Sequence, residues 1–260
     1  MKIPLTVLIP CKNEAQHIAA AIESARPIAD EILVADSGST DDTLSIVAQV
    51  GGCRIICRDQ YIDSANFKNW AIPQAAHPWV LVLDADERIT AEGRDEIEAL
   101  LASEPDKQAY RVGFRVFFLG REMRHCGWDE ASSLRLFHRD CRYSTLRAHA
   151  HLTVAPENTG NLQHKFLHYS YRSMSHYLAK QRRYSRNVAR DWYEAGRTAN
   201  FNDLWLKPAY QFWYRFFRHQ GYLDGLAGFV LCLTSCYYTF WRYVELRNLC
   251  KVPPQLSRAT

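Results

Sequence analysis

Apolar residues in the first half of the chain fall into short runs that alternate with segments of helical spacing. Four runs rich in β-branched residues have the length of buried strands, at 3–10, 31–37, 53–58 and 79–87. Helical spacing of apolar residues follows each run, at 13–25, 38–52, 66–75 and 91–103. A further β-type segment lies at 110–120. This alternation predicts an α/β fold with a mostly parallel sheet flanked by helices.

Polar clusters stand at the ends of three predicted strands, at 11–14 (CKNE), 36–42 (DSGSTDD) and 84–87 (DADE). Ligands of parallel α/β sheets bind beyond the carboxyl ends of the strands, so we expect the three clusters to converge on one site. Short polar residues in the first two clusters should also begin helices. Asn13 is expected to cap the first helix, and Asp41 or Ser39 the second.

The third cluster brings three acids together directly after an apolar strand. Asp84, Asp86 and Glu87 would repel one another unless a positive group lies between them. Asp84 and Asp86, two residues apart, are hard oxygen ligands of the kind that Mg²⁺ or Mn²⁺ prefers. The sequence therefore predicts a divalent metal held by Asp84 and Asp86.

Several other function classes lack their sequence signatures. No GxGxxG follows the first strand and no GxxxxGK[ST] occurs, which disfavours an NAD-dependent oxidoreductase and a P-loop ATPase. The eight cysteines form no CxxC pair or zinc pattern, so free thiols in a reducing compartment are expected. The N-terminal segment lacks the features of a signal peptide, so we expect a cytoplasmic location.

The composition changes in the last third of the chain. Residues 165–220 contain 11 Lys or Arg against 3 Asp or Glu, although the formal net charge of the whole chain is only +4. A basic helix is predicted at 173–196, aromatic and basic residues mix at 204–222, and 225–241 carries no charge. These features are typical of a segment bound to a membrane surface. A helical subdomain with an aromatic core is the alternative, and the acidic third cluster disfavours nucleic-acid binding.

Four segments, in this order and spacing, resemble the inverting family 2 glycosyltransferases with the GT-A fold: VLIPCKNE (7–14), ILVADSGSTDDT (32–43), FKNWA (67–71) and WVLVLDADE (79–87). Four later segments resemble the lipopolysaccharide inner-core β-glucosyltransferases within that family: FLGREMRHCGW (118–128), LRLFHR (134–139), LHYSYRSMSHYLAKQRRYS (167–185) and GYLDGLAGFVLCLTSCYYTFWRY (221–243). The resemblance implies a nucleotide-sugar-binding and catalytic domain at 1–160. It also implies a basic, aromatic-rich helical extension at 161–260.

The resemblance also implies roles for residues near the nucleoside. Pro10, Asn13 and Glu14 would line the nucleoside pocket, and Asp36 would hydrogen-bond the base or the ribose. Two alternatives from local chemistry stay open. Asp36 could cap the Ser-Thr turn behind it, and Glu14 could serve only the dipole of the first helix.

Other residues are implied to act on the diphosphate. Lys68 would approach it, and a metal at Asp84 and Asp86 would bridge its two phosphates. Arg135 would orient the preceding loop or the phosphates. The alternative for Lys68 is a solvated position on a helix.

The general base that an inverting transfer needs is missing from its expected place. Related sequences carry an Asp three residues before the Leu-Arg-Leu-Phe run, where this chain has Ala131. Glu130 is the predicted base, with Asp129 as the second candidate. The family's His-Glu pair reads His149 and Ala150 here.

The sequence thus predicts a metal-dependent inverting hexosyltransferase that uses Mg²⁺ or Mn²⁺. It would move a hexose, with glucose expected, from a nucleotide-diphosphate sugar, with a UDP-sugar preferred, to a lipid-anchored glycan such as the lipopolysaccharide inner core. The protein would be attached peripherally to the inner face of the cell membrane. Two alternatives stay open: a polyprenyl-phosphate glycosyltransferase, whose anionic acceptor needs no base, and a nucleotide-sugar-binding membrane protein without catalysis.

Overall fold

The computed structural model describes residues 3–118, 120–144, 151–170 and 174–251. The chain divides into two compact units. Met1–Arg115 and Glu130–Ser170 form the first unit, and Val116–Asp129 and Tyr171–Thr260 form the second. The predicted division into 1–160 and 161–260 assigns a function to each part, and it stays a prediction.

The strands within the described residues are β1 (Leu5–Cys11), β2 (Glu31–Asp36), β3 (Arg54–Cys57), β4 (Trp79–Val82), β5 (Glu87–Arg88), β6 (Ala109–Phe118), β7 (Arg121–Met123), β8 (Ser132–His138), β9 (Thr159–Asn161) and β10 (Phe166–His168). They follow the order β3-β2-β1-β4-β8-β6-β10-β5, and β7 and β9 also pair with β6. The first four strands pair in parallel, whereas β8 runs antiparallel to both β4 and β6. The parallel half of this mixed sheet confirms the predicted α/β fold.

The helices of the first unit are α1 (Ile18–Ala25), α2 (Thr43–Val50), α3 (Ser64–Ala71) and α4 (Ala91–Ala102). Those of the second unit are α5 (Met174–Glu194), α6 (Phe201–Trp213) and α7 (Gly225–Lys251). A π-helical turn, Tyr214–Arg218, extends α6, and a 3₁₀ turn, Gly221–Asp224, leads into α7.

The core of the first unit forms around β1, β2 and β4, which are buried along nearly their whole length, whereas β3 at the edge is largely exposed. Leu8 of β1, Leu33 of β2 and Val80 of β4 are fully buried in one cluster. Ala71 of α3 belongs to the same cluster, and so does Phe137 of β8, the strand next to β4. Strands buried on both faces read as continuous apolar runs, which explains why the sequence pattern located them.

The starts of the helices differ from the predictions. Asn13 is not the cap of α1, since that helix begins at Ile18 and His17 is its N-cap residue. Asn13 instead has a left-handed backbone, with φ of 55°. Neither Asp41 nor Ser39 is the N-cap of α2: Asp42 holds that position without a side-chain cap hydrogen bond, and the Asp41 carboxylate accepts a hydrogen bond of 3.0 Å from the N–H of Thr43. Helix α3 begins two residues before the predicted segment because Asp63 caps it, accepting from the N–H of Asn66 at 2.8 Å.

The second unit is helical and is dominated by α7. This helix packs against α5 and α6, and Leu231 and Cys232 are fully buried. Residues Gly221–Lys251 are long and apolar enough to cross a membrane by length and composition, a test that the core helix of a soluble protein also passes. About a third (33%) of the most apolar window is buried inside the protein.

Gly228 permits close packing at the start of α7. A Cβ atom at Gly228 would lie 2.0 Å from the carbonyl oxygen of Gly221 and 2.9 Å from Cβ of Asp224. We expect Gly228→Ala to lower the free energy of unfolding by about 1–3 kcal/mol or more, because backbone must move to admit the methyl group. Leu226→Ala, at a position 77% exposed, should change it by about 0.5 kcal/mol or less. Urea denaturation followed by circular dichroism measures both, and equal stability of Gly228→Ala and wild type would contradict this account.

Candidate active site

The loops that follow β1 and β2 interlock at the carboxyl ends of these strands. The backbone N–H of Asn13 donates to Ser39 Oγ at 2.9 Å, and Asn13 Oδ1 accepts from the N–H of Thr40 at 2.7 Å. The N–H of Glu14 donates to Thr43 Oγ1 at 2.7 Å. The first two polar clusters therefore converge, as predicted. The left-handed backbone of Asn13 serves this contact between loops instead of capping a helix.

Asp36 lies at the end of β2 and is 2% exposed. Its carboxylate accepts hydrogen bonds from the N–H groups of Gly38 and Ser39, at 2.9 and 2.8 Å, and from the thiol of Cys11 at 3.6 Å. These contacts match the alternative in which Asp36 caps its own turn. Pro10, half-buried, lies opposite Ala35 on the neighbouring strand. The nucleoside roles of Asp36 and Pro10 stay predictions.

The third cluster is organised by two cations of the protein itself. Asp84 Oδ1 lies 3.0 Å from Lys68 Nζ, and Asp84 Oδ2 lies 2.6 Å from a guanidinium nitrogen of Arg135. The same Arg135 nitrogen also contacts Glu87 Oε1. Arg135 is thus the positive group that lies between two of the three acids. Its place follows from the pairing of β8 with β4, in which Leu81 lies opposite Leu136.

Lys68 is buried on α3, with 9% exposure, so the alternative of a solvated helix position is excluded. Its ammonium group also lies 5.6 Å from the centre of the Tyr143 ring. Burial would lower the pKa of Lys68, but the charge and hydrogen bond of Asp84, together with Tyr143, raise this pKa. Lys68 therefore carries a positive charge at neutral pH.

Burial and neighbouring charges move the two acids in opposite directions. Burial would raise the pKa of Asp84, but Arg135 and Lys68 outweigh it and hold the pKa well below its usual range. Burial raises the pKa of Glu87 to about 7, and the Asp84 charge acts in the same direction, against Arg135. Glu87 is fully buried, and its Oε2 accepts a hydrogen bond of 3.1 Å from the N–H of Asp84. Glu87 therefore supports the turn that carries Asp84.

Asp86 faces His168, for which the sequence patterns predict no role. His168 Nε2 lies 3.5 Å from Asp86 Oδ2, and the N–H of Tyr169 donates to the carbonyl of Asp86 at 2.8 Å. Burial would lower the pKa of His168, but the hydrogen bond and charge of Asp86 outweigh it and raise this pKa. The antiparallel pairing of β5 with β10 causes this proximity. His168 lies in the segment 167–185 that resembles the family, but no local sequence pattern links it to Asp86.

The two predicted metal ligands differ in their surroundings. No group of three or more His, Cys, Asp and Glu side chains in the part of the chain that the structure describes is arranged to hold a metal. A Mg²⁺ or Mn²⁺ ion that binds phosphate needs only one or two protein carboxylates, so Asp86 fits this role with Asp84 beside it. The carboxylate of Asp84 already meets two cations, yet its oxygens retain lone pairs for a further contact.

The predicted base lies in the segment between β7 and β8. Asp129 and Glu130 are both exposed, and Ala131 accepts a backbone hydrogen bond of 2.9 Å from the N–H of Phe114. The ion pairs of Arg135 do not include Glu130. His149 and Ala150 lie outside the described residues.

A parallel α/β sheet with charged side chains beyond its strand ends is typical of nucleotide-binding enzymes. Residues 6–140, more than half of the chain, match the family described as Glycosyl transferase family 2. The chain belongs to this family and is a glycosyltransferase. The predicted family is confirmed.

Full-length relatives support the same assignment. The chain is 30% identical to the lipopolysaccharide core biosynthesis glycosyltransferase LpsC of Rhizobium meliloti, over 99% of this chain and 98% of LpsC. It is 28% identical to an uncharacterized glycosyltransferase of Rickettsia felis, over 94% of this chain and 89% of the relative. Among solved structures, glucosyl-3-phosphoglycerate synthase of Mycobacterium tuberculosis in complex with Mn²⁺ and UDP-glucose aligns at 25% identity with a TM-score of 0.38, over 44% of each chain.

Arg135 should be the most costly single residue of this cluster to remove. Arg135→Met leaves Asp84 and Glu87 without the charge that separates them, so we expect a loss of about 3–5 kcal/mol in the free energy of unfolding. Arg111→Met, at an exposed position of β6, is the matched control and should cost about 0.5 kcal/mol or less. Urea denaturation at neutral pH measures both variants. If the two variants are equally stable, Arg135 does not hold the cluster together.

Proposed function

We propose that this glycosyltransferase moves a hexose, with glucose expected, from a nucleotide-diphosphate sugar to a hydroxyl group of a lipid-linked glycan. The preferred donor is a UDP-sugar, and the preferred acceptor class is the lipopolysaccharide inner core. The observation that carries this proposal is the similarity to LpsC over 99% of the chain. We further propose that the protein acts at the cytoplasmic face of the membrane that carries the acceptor, attached peripherally.

The donor diphosphate is proposed to bind at the carboxyl end of β4. Asp86, with Asp84, would hold Mg²⁺ or Mn²⁺, and the bound ion would neutralise charge on the diphosphate. Lys68 and Arg135 would keep the Asp84 carboxylate fixed and add positive charge at the same place. Because negative charge grows on the departing diphosphate, a fixed positive field stabilises the transition state more than the ground state.

The nucleoside is proposed to bind over the interlocked loops after β1 and β2. Pro10, Asn13 and Glu14 would line this pocket, and Asp36 would act on the base or ribose. The hydrogen bonds between Asn13, Ser39 and Thr40 support this proposal, since they hold both loops in place before a ligand arrives. A site held in this way loses less conformational freedom on binding.

Transfer with inversion is proposed to occur in one displacement. The acceptor oxygen forms a bond to the anomeric carbon as the bond from that carbon to the diphosphate oxygen breaks. The acceptor proton passes to a carboxylate, for which Glu130 is the first candidate and Asp129 the second. Both side chains are exposed, so an acceptor hydroxyl can reach them.

A second candidate function is favoured by one specific observation. Ala131 stands where related sequences carry the base, and a polyprenyl phosphate would need no base because its nucleophile is already an anion. The same absence would also suit a nucleotide-sugar-binding protein without catalysis. The two experiments below separate these three functions.

The role of Asp86 is tested by donor binding. UDP-, GDP- and ADP-sugars are titrated calorimetrically with Mn²⁺, with Mg²⁺ and with chelator. We expect one nucleotide class to bind, and Asp86→Asn or chelator to weaken binding by at least about tenfold, because both remove the metal from the diphosphate. Asp95→Asn, which removes an exposed carboxylate from α4, should bind as wild type does. Metal-independent binding that Asp86→Asn leaves unchanged would refute the metal role, and failure of every donor to bind would refute the transferase proposal.

The role of Glu130 is tested by separating binding from turnover. With a lipopolysaccharide truncated in its inner core as acceptor, Glu130→Gln should lower kcat by about 100-fold or more and leave donor binding unchanged, because it removes the proton acceptor. Asp129→Asn should retain most of the activity, and Glu92→Gln, on the exposed side of α4, is the matched control.

Three other outcomes of this assay would each change the assignment. If Asp129→Asn loses activity and Glu130→Gln does not, Asp129 is the base. If neither variant loses activity and polyprenyl phosphate is glycosylated, the second candidate function replaces the first. If no acceptor turns over although the donor binds, the protein is a binder without catalysis.

A further inference from the structure

The second unit exposes a row of large apolar side chains along α6 and the π-helical turn that extends it. The row consists of Leu206, Tyr210, Trp213 and Phe217, each between 51% and 63% exposed. These positions are four, three and four residues apart, so they lie on one side of the helix. Side chains of this kind are normally buried, and a continuous row of them indicates a contact surface.

A second row runs along the first half of α7. It consists of Leu226, Phe229, Leu233 and Tyr237, each between 43% and 77% exposed. Their spacing of three, four and four residues again places them on one side of a helix. The ring centre of Phe229 lies 6.1 Å from those of Phe212 and Phe216, which belong to α6 and its extension. The second row therefore contacts α6 and its extension through Phe229, and we call the eight side chains of the two rows the docking face.

The opposite side of α7 is occupied by α5. Thr234 Oγ1 bonds to the hydroxyl of Tyr177 at 3.2 Å, and the rings of Trp192 and Tyr243 lie 5.1 Å apart. Helix α5 is strongly basic, with Lys and Arg at 180, 182, 183, 186 and 190. If α7 spanned a bilayer, these contacts would carry the charges of α5 into the hydrocarbon, which is strongly unfavourable. The packing therefore favours a helix that lies in the membrane surface over one that crosses it.

The charge around the docking face fits an anionic surface. Lys207 and Arg218 are exposed on the same helical segment as the first row. Residues 165–220 as a whole contain 11 Lys or Arg against 3 Asp or Glu. Trp and Tyr in the face, as at Trp213 and Tyr237, have the amphipathic rings that are enriched at lipid headgroups. A second copy of the same basic unit would bring like charges together, so charge complementarity favours a bilayer.

We propose that the docking face inserts into one leaflet of an anionic bilayer, with α6 and α7 lying parallel to the membrane surface. Apolar rings enter the boundary between headgroups and acyl chains, and the basic side chains around them contact lipid phosphates. The inference rests on the proposed function only in identifying this membrane as the one that carries the acceptor. Binding to lipid itself requires neither donor nor acceptor.

The test is sedimentation of the full chain with preformed vesicles of phosphatidylcholine, with and without phosphatidylglycerol. We expect wild type to bind the anionic vesicles more tightly, and less so at high salt. The variant Trp213→Ser, Phe217→Ser, Leu226→Ser should lose at least about tenfold in the vesicle partition coefficient, because these side chains would otherwise be buried in lipid. Equal binding of this triple variant and wild type would overturn the proposal.

A matched control removes exposed apolar side chains from the first unit. Ile55→Ser, Tyr61→Ser, Ile62→Ser replaces side chains that are between 38% and 69% exposed, and it should bind vesicles as wild type does. Equal losses in the control and in the triple variant would overturn the proposal, since binding would then follow general hydrophobicity. Thermal unfolding of both variants shows that they fold.

Two further measurements address other occupants of the face. With tags at both chain ends, protease added to inside-out membrane vesicles should remove both tags, whereas protection of the C-terminal tag alone would show that α7 spans the membrane.

Light scattering should give a monomer for wild type without lipid. A dimer that the triple variant abolishes, in a protein that does not bind vesicles, would identify a second copy as the occupant and overturn the proposal.

The proposed function can fail independently of this inference. Asp86→Asn should bind vesicles as wild type does, and the triple variant should retain calorimetric donor binding. Vesicle binding by a chain that binds no donor would leave the docking face in place and refute the transferase proposal. Donor binding with no vesicle binding would refute the docking face alone.

Discussion

The charge cluster of the first unit depends on one buried guanidinium group. Arg135 lies between Asp84 and Glu87 and contacts both, and it is 7% exposed. Taking three charges out of water is costly, so this arrangement is weak evidence for added stability. The main effect of the guanidinium group is to hold the side chains of Asp84 and Glu87 in place, because both contact it. The turn that carries Asp86 is held between these fixed neighbours.

The sheet topology makes this contact possible. Asp84 follows the last parallel strand, and Arg135 is delivered by β8, which pairs with that strand in the opposite direction. The short pairing of β5 with β10 then brings His168 to Asp86. The antiparallel half of the sheet therefore supplies Arg135, Glu87 and His168. The parallel half supplies Asp84, Asp86 and the two interlocked loops.

This division explains how far the sequence could predict the molecule. The strands, the helices and the convergence of the first two clusters follow from local apolar patterns and from the geometry of parallel sheets. The sequence also showed that a positive group must separate the acids, but not that it would be Arg135, because 51 residues separate Asp84 from Arg135. The same holds for His168. Lys68 is buried on the same side of α3 as Phe67 and Ala71, a place that no apolar pattern predicts for a lysine.

Each unit contains side chains in an environment that is unfavourable for stability, and these side chains are charged in the first unit and apolar in the second. The first buries charges such as Glu87 and Lys68, and the second exposes rings such as Trp213. A buried charge needs a partner of opposite sign, whereas an exposed apolar ring needs an apolar surface. The cations of the first unit satisfy the first requirement within the chain. Trp213 is 51% exposed and Leu226 is 77% exposed, so the described part of the second unit meets the second requirement only in part. Such unfavourable environments are expected at functional sites, which agrees with the polar chemistry proposed for the first unit and the membrane attachment proposed for the second.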